Sequence, residues 1–257
     1  MRAAGDDSCP DTRDGLLDLF LGGSCLGCRA PGRVLCRSCR DELPTEAFQA
    51  WPAPVPDGLA APYAVAPYDG VVRDLVIGHK ERHLVGLRDV LGALLARSVL
   101  AALARHDARG AVLLVPVPSR RASVRSRGRD ATREMTERAR RTVQWTGGGR
   151  YDVLLAPLLR SRPGVVDQAG LDIDERRENL TGSMACSSAA VRRFARRVGA
   201  AHVVVCDDVL TTGATLREAQ RALAAAGVPV LGHACVAATV RRRPGPSTAS
   251  DSPAVHS

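Results

Sequence analysis

The sharpest change of pattern in the chain lies at residues 203–219, VVVCDDVLTTGATLREA. Four apolar residues, 203–206, predict a buried strand, and the residues from Leu216 onward predict a helix. Between them stand two adjacent acids, Asp207 and Asp208, and a loop of Thr211, Thr212, Gly213, Ala214 and Thr215. Acids and hydroxyls are thereby expected at the carboxyl end of a strand, where open α/β sheets take their ligands. The rest of the chain alternates in the same manner. AAPYAVAPY from Ala61 predicts a strand, Val71, Val72, Leu75 and Val76 a helix, and Leu87, Val90, Leu91, Leu94 and Leu95 a second helix over about 86–106. AVLLVPVP at 111–118 is a buried strand ended by proline. A charged helix is expected at 126–143, a strand near 151–156, an irregular stretch at 160–183, a helix at 215–226 and a last strand at 230–237. Strands alternating with helices predict a parallel or mostly parallel sheet.

Composition adds boundaries. At 257 residues the chain has room for one main domain and a small appendage. The Pro-rich stretch WPAPVPDGLAAP divides a segment at 1–50 from the main domain, with a linker at 51–61, a domain at 62–240 and a tail at 241–257 of disordered composition. LLDLFL near the start is too short and interrupted for a signal-peptide core, and no run spans a membrane, so a cytoplasmic location is expected. Net charge is +9, and arginine supplies 35 of the 36 basic residues. That bias permits anionic partners without choosing among them. Lys80 is the only lysine. His79 and His83 beside it, without evident partners, are read as surface residues.

Four of the eight cysteines are grouped as CLGCRAPGRVLC plus Cys39, two C-x-x-C pairs at Cys25/Cys28 and Cys36/Cys39. Each pair offers two thiolates on one side, and two pairs complete a tetrahedron, so a structural zinc module is expected at 25–39. A closed four-thiolate site leaves no position for catalysis. A redox C-x-x-C, or neither chemistry, stays open as the alternative.

The acid-and-threonine loop has its own chemistry. A helix beginning near Thr215 presents free N–H groups and a partial positive charge to a phosphate. Gly213 permits close backbone approach, the threonines add hydroxyls, and the two aspartates suit diol hydroxyls or hydrated Mg²⁺. Phosphate at one end and hydroxyls at the other describe a ribose 5-phosphate. A Walker-B strand also ends in acids, but the chain has no G-x-x-x-x-G-K-[ST] element. An acidic turn that merely caps a helix is the remaining reading.

VVVCDDVLTTGAT resembles the phosphoribosyl-pyrophosphate (PRPP) signature of type I phosphoribosyltransferases. The resemblance implies that Asp207 and Asp208 hold the ribose 2- and 3-hydroxyls and that residues 211–215 hold the 5-phosphate. YDGVVRDLVIGHK (68–80), LLVPVPSRRASVRSRG (113–128) and the stretch 158–184, with Arg160, Gln168, Leu171, Arg176 or Arg177, and Asn179, resemble segments of the ComF family, as does the double C-x-x-C. The likeness runs from about residue 16 to 240. It departs after Arg127-Gly128, where Arg129-Asp130-Ala131 replaces the family's Phe-Asn-Gln.

The fold class thus implied is α/β, type I phosphoribosyltransferase-like, a mostly parallel sheet flanked by helices with a small N-terminal four-cysteine zinc module. The activity implied is binding of PRPP with Mg²⁺ and transfer of the phosphoribosyl group to a nitrogen acceptor with release of pyrophosphate. Lys80, Ser119, Arg120 and Arg160 are the candidates for the pyrophosphate side. Nine arginines at 120–141 against three acids also suit a solvated helix face. The alternative is a non-catalytic nucleotide- or PRPP-binding accessory factor in competence, DNA uptake or single-stranded DNA processing, with competence or DNA-processing proteins as partners. Direct single-stranded DNA binding is poorly supplied with stacking side chains, since the chain has three Phe, three Tyr and two Trp.

Overall fold

A computed structural model of the chain describes residues 23–82, 84–119, 124–125, 128–162 and 181–239. The expectations placed on 1–22, His83, Arg120, Gln168, Leu171, Arg176, Arg177, Asn179 and the 241–257 tail lie outside the described residues. Among the described residues no helix is long and apolar enough to cross a membrane.

Strand β1 (Phe48–Gln49) pairs antiparallel with β2 (Pro62–Ala64), and the remaining pairings of the main sheet are parallel. The sheet runs β1-β2-β9-β8-β4-β5, with β4 at Gly110–Pro116, β5 at Tyr151–Leu155, β8 at His202–Leu210 and β9 at Gly232–Ala238. Short β3 (Ala66–Pro67) also pairs with β9. The central strands read as continuous apolar runs because helices cover both faces. All of β9, GHACVAA, is buried.

On one face lie α2 (Gly70–Lys80), α3 (Leu87–Arg105) and α4 (Ala131–Thr146). Leu75, Leu91, Leu95, Met135 and Val143 pack there against Val204 and Cys206 of β8. Fully burying a leucine of this kind contributes about 2 kcal/mol. The other face carries α6 (Ala214–Ala224), α5 (Ser188–Val198) and a separate antiparallel hairpin, β6 (Leu159–Ser161) with β7 (Met184–Cys186). Leu216, Leu223, Phe194, Leu159 and Met184 pack there against Val203 and Val205. Short α1 (Arg37–Asp41) follows the third cysteine, and Cys25, Leu26 and Leu35 join the same apolar cluster as α2 and α3.

Several elements differ from the sequence expectation. The run AAPYAVAPY is split into β2 and β3 by a bend at Val65. The charged helix starts at Ala131 rather than 126, where Asp130 caps it by accepting from Arg133 N at 3.1 Å. The stretch treated as irregular opens with β6, which pairs with β7 beyond its end. The predicted strand at 203–206 runs on to Leu210, so both aspartates lie inside β8.

Helices α3 and α4 meet at a glycine. A Cβ on Gly92 stands 2.4 Å from Arg138 Cβ and 3.1 Å from the Met135 carbonyl oxygen. Gly92→Ala is therefore expected to force the two helices apart at a net cost of about 2 kcal/mol despite the better helix propensity of alanine. Thermal unfolding measures this as a midpoint lowered by roughly 4–8 °C. An unchanged midpoint contradicts the close crossing.

Candidate functional site

Strand β8 delivers two adjacent carboxylates into an apolar setting. Asp207 is 8% exposed and Asp208 5%. Successive strand residues face opposite sides of a sheet, so Asp208 follows Val204 and Cys206 toward α2. There its Oδ2 forms an ion pair with Lys80 Nζ, from the last residue of α2. Backbone amides hold the Oδ1 atom of each carboxylate in place. Asp208 N donates to Asp207 Oδ1 at 2.9 Å, and Val209 N donates to Asp208 Oδ1 at 2.9 Å. Burial pushes the Asp207 carboxyl well above the usual carboxylate range, the Asp208 charge pushes it further, and the Lys80 ammonium pulls it back.

Beyond the acids the chain turns through Thr211 and Thr212, both exposed, into α6. Gly213 is the N-cap residue at φ +77°, a left-handed conformation that favours glycine. Thr212 Oγ1 accepts from Ala214 N at 3.4 Å. No side chain of the cap residue closes this helix end and no acid stands in its first turn, so the end favours an anion. Thr239, after β9, donates its hydroxyl to the Leu210 and Thr211 carbonyls, at 3.4 Å each, and so tethers the loop.

Gly213 is needed for a second reason that the sequence did not reveal. Its Cα faces the Pro-rich segment, and an added Cβ falls 3.0 Å from Pro52 Cγ and 3.3 Å from Pro56 Cγ. That segment lies along α6: Arg217 Nε donates to Asp57 O at 2.7 Å, Gln220 Nε2 to Gly58 O at 2.8 Å, and Ala60 N to Gln220 Oε1 at 2.9 Å. The residues expected to link two units thus form a strap against the back of the threonine loop.

Glu218, which sequence reasoning missed, fastens the hairpin to the same helix. It accepts from Met184 N at 2.9 Å and forms a two-pronged pair with Arg221, 2.6 and 2.8 Å. Burial raises its pKa, but Arg221 and the Met184 and Gly182 amides outweigh that and hold the carboxyl below the usual glutamate range. The local signal is thin, since Glu218 shares its side of the helix with Ala222 one turn on and not with the stripe of Leu216 and Leu223.

Of the other predicted site residues, Lys80 meets Asp208, as above. Ser119 donates its hydroxyl to Asp130 Oδ1 at 2.7 Å, closing the ends of the segment that follows β4. Val117 N donates to Cys206 O at 2.8 Å, which starts that segment beside the acids. Arg160 is exposed on β6 opposite Ala185 of the hairpin. Arg120 lies outside the described residues. His79 corrects the sequence reading: it is buried at 2% exposure, because the last turn of α2 packs its inner side beneath α4.

The four cysteines converge. The Sγ atoms of Cys25, Cys28, Cys36 and Cys39 all lie within 4.8 Å of one another, and Cys28 Sγ is 3.6 Å from Cys36 Sγ. Thiolates about 2.3 Å from a tetrahedral metal ion stand roughly 3.8 Å apart, so the set fits such an ion. Cys36 N donates to Cys25 Sγ at 3.4 Å. The Cys39 thiol is pushed up to about 12 by its hydrogen bond with Cys36, by burial and by Cys28 and Cys25, so ionising it within this cluster calls for a cation. All four are free thiols.

With this geometry in place, two comparisons with known proteins bear on the site. A family model described as the phosphoribosyl transferase domain matches residues 153–253, under half of the chain. The match takes in β8, the acid pair, the threonine loop and α6. Over 46 residues the chain is 50% identical to the orotate phosphoribosyltransferase of Bartonella tribocorum, 18% of this chain and 23% of that protein. The chain therefore aligns with about a quarter of that relative's length. The molecule is a mostly parallel sheet flanked by helices that carries a phosphoribosyltransferase domain, with a four-cysteine cluster near its N-terminus.

Glu218→Gln is expected to lower stability at pH 7 by about 2 kcal/mol through loss of its charged hydrogen bonds. Its folded carboxyl titrates below the ordinary value of about 4.3. The contribution is therefore complete above that value and is lost as pH falls through the lower folded value. Urea unfolding should show the two proteins clearly apart at neutral pH and converging in acid. A gap that widens in acid contradicts the assignment.

Proposed function

We propose that the chain binds PRPP together with Mg²⁺ at the carboxyl end of β8 and transfers the phosphoribosyl group to a nitrogen nucleophile, releasing pyrophosphate. The observation that carries this reading is the buried Asp207–Asp208 pair, followed at once by a threonine loop and an acid-free helix N-terminus whose cap residue is a glycine. Asp207 and Asp208 accept the ribose hydroxyls, and residues 211–215 with the first amides of α6 take the 5-phosphate. Mg²⁺ arrives on the ligand's own oxygens and keeps most of its water. Loss of pyrophosphate leaves an oxocarbenium-like ribose, so the protein's work is to orient two partners and neutralise departing charge. Lys80, Ser119, Arg120 and Arg160 are assigned to that pyrophosphate side. The domain is proposed to run over 62–240, in keeping with a ComF-like chain, and the cysteine cluster to hold one structural zinc ion.

A second reading, a ribose-phosphate-binding accessory factor that acts on nucleic acid without catalysis, draws on one observation. Arg192, Arg193, Arg196 and Arg197 are exposed on α5, and among the described residues no ion pair with an acid engages them. Release of pyrophosphate in the presence of nitrogen acceptors separates the two readings.

Calorimetric titration with PRPP and Mg²⁺ should show one site per wild-type chain and none in Asp207→Asn/Asp208→Asn. Undiminished affinity in the folded double variant sinks the site assignment. Metal analysis of protein purified under reducing conditions should find about one zinc per chain, lost in Cys25→Ser/Cys39→Ser. Purified wild type without metal removes the zinc assignment.

A further inference from the structure

Arg129 packs against the end of α2. Its side chain is only 12% exposed. One arm pairs with Glu134, and the other donates to the His79 carbonyl oxygen and lies 3.4 Å from His79 Nδ1. The opposite ring nitrogen, His79 Nε2, is 3.3 Å from the Ala131 carbonyl oxygen. A carbonyl only accepts, so the proton sits on Nε2 and Nδ1 is left to accept from Arg129. The imidazole is neutral, since burial and then the Arg129 charge hold its pKa below the usual value.

These bonds act on the end of α2. The last carbonyls of a helix have no partner within it. Here Ile77 O is taken by Glu81 N at 2.8 Å and Gly78 O by Leu84 N at 3.1 Å, leaving His79 O for the guanidinium. A cation at this end also suits the helix dipole. The next residue is Lys80. Its side chain is 36% exposed, so water competes for the ammonium, and its hold on Asp208 depends on the backbone from which it is aimed.

We propose that Arg129 is a positioning residue: by fixing the final turn of α2 it keeps the Lys80 ammonium on Asp208 and so maintains the charge balance of the acid pair. Arg129 does not touch the carboxylates; it acts through His79 and the helix end. Only the ligand arm of its test rests on the PRPP reading.

Lys80 is the only lysine, so an amine-acetylating reagent followed by mass spectrometry of the peptide that contains it reports this side chain alone. Arg129→Met should accelerate acetylation of Lys80 roughly fivefold, the size of losing a half-exposed ion pair, and approach the rate in Asp208→Asn. In an Asp208→Asn background the same Arg129→Met change should add nothing, because the contact through which it acts is already gone. Arg129→Lys keeps the charge without the two-armed hold and should fall between; it carries the test if Arg129→Met does not fold. Arg141→Met, at an exposed pair with Glu137, should leave the rate unchanged. PRPP with Mg²⁺ should bind Arg129→Met several times more weakly than wild type.

Unchanged acetylation in a folded Arg129 variant overturns the proposal. So does an equal acceleration with and without Asp208, which is the mark of a merely loosened fold. A wild type that ignores PRPP defeats the ligand reading alone, and the acetylation rates still decide the role of Arg129.

Discussion

Two carboxylates side by side in an apolar strand repel each other and lose most of their hydration. Burying one charge costs several kcal/mol unless a partner and hydrogen bonds offset it. In this chain the offset comes from three directions: the Lys80 ammonium, the Asp208 amide and the Val209 amide. They come from two constraints. The amides follow from the path of β8, whereas Lys80 arrives from α2, a helix formed more than a hundred residues earlier. Tertiary packing must hold that helix end within reach of a strand end, and the Arg129–His79–Glu134 cluster lies where that hold is applied.

The threonine loop is supported in an analogous way from the opposite face. Its glycine turns through a positive φ and packs against Pro52 and Pro56, while α6 holds the Pro-rich strap through Arg217 and Gln220. A proline-rich segment brings little conformational entropy to lose, so it suits a rigid backing for a loop that must keep its shape. The cysteine cluster lies on the other side of the sheet, with Leu26 and Leu35 inserted into the α2–α3 core and Gly27 close to Val71. The cluster thus packs against α2, the helix that carries Lys80.

Much of this was legible in the sequence, and the gaps have physical causes. The central strands were plain because runs such as VVVC and AVLLV have one environment on both faces. The acid pair, the threonine loop and the cysteine spacing are local patterns whose chemistry is set by adjacent residues. Helix α5 was missed although its signals are present: Ser187 accepts from Ala190 N, Val191, Phe194 and Val198 share one side, and Gly199 ends it at φ +65°. Arg192, Arg193, Arg196 and Arg197 on either side of Phe194 masked that thin apolar stripe. His79 was misread because its partners come from a segment fifty residues away, which no local pattern discloses. The same is true of Lys80, whose rarity drew attention to it but whose partner, Asp208, only the fold could supply.

The most direct measurement is thermal unfolding of the wild-type chain with and without PRPP plus Mg²⁺. Ligand at roughly a hundred times its dissociation constant adds about 2.7 kcal/mol. The midpoint should then rise by roughly 5–10 °C for a chain of this size. An unchanged midpoint in folded protein with its cysteine site filled contradicts a PRPP site at the end of β8.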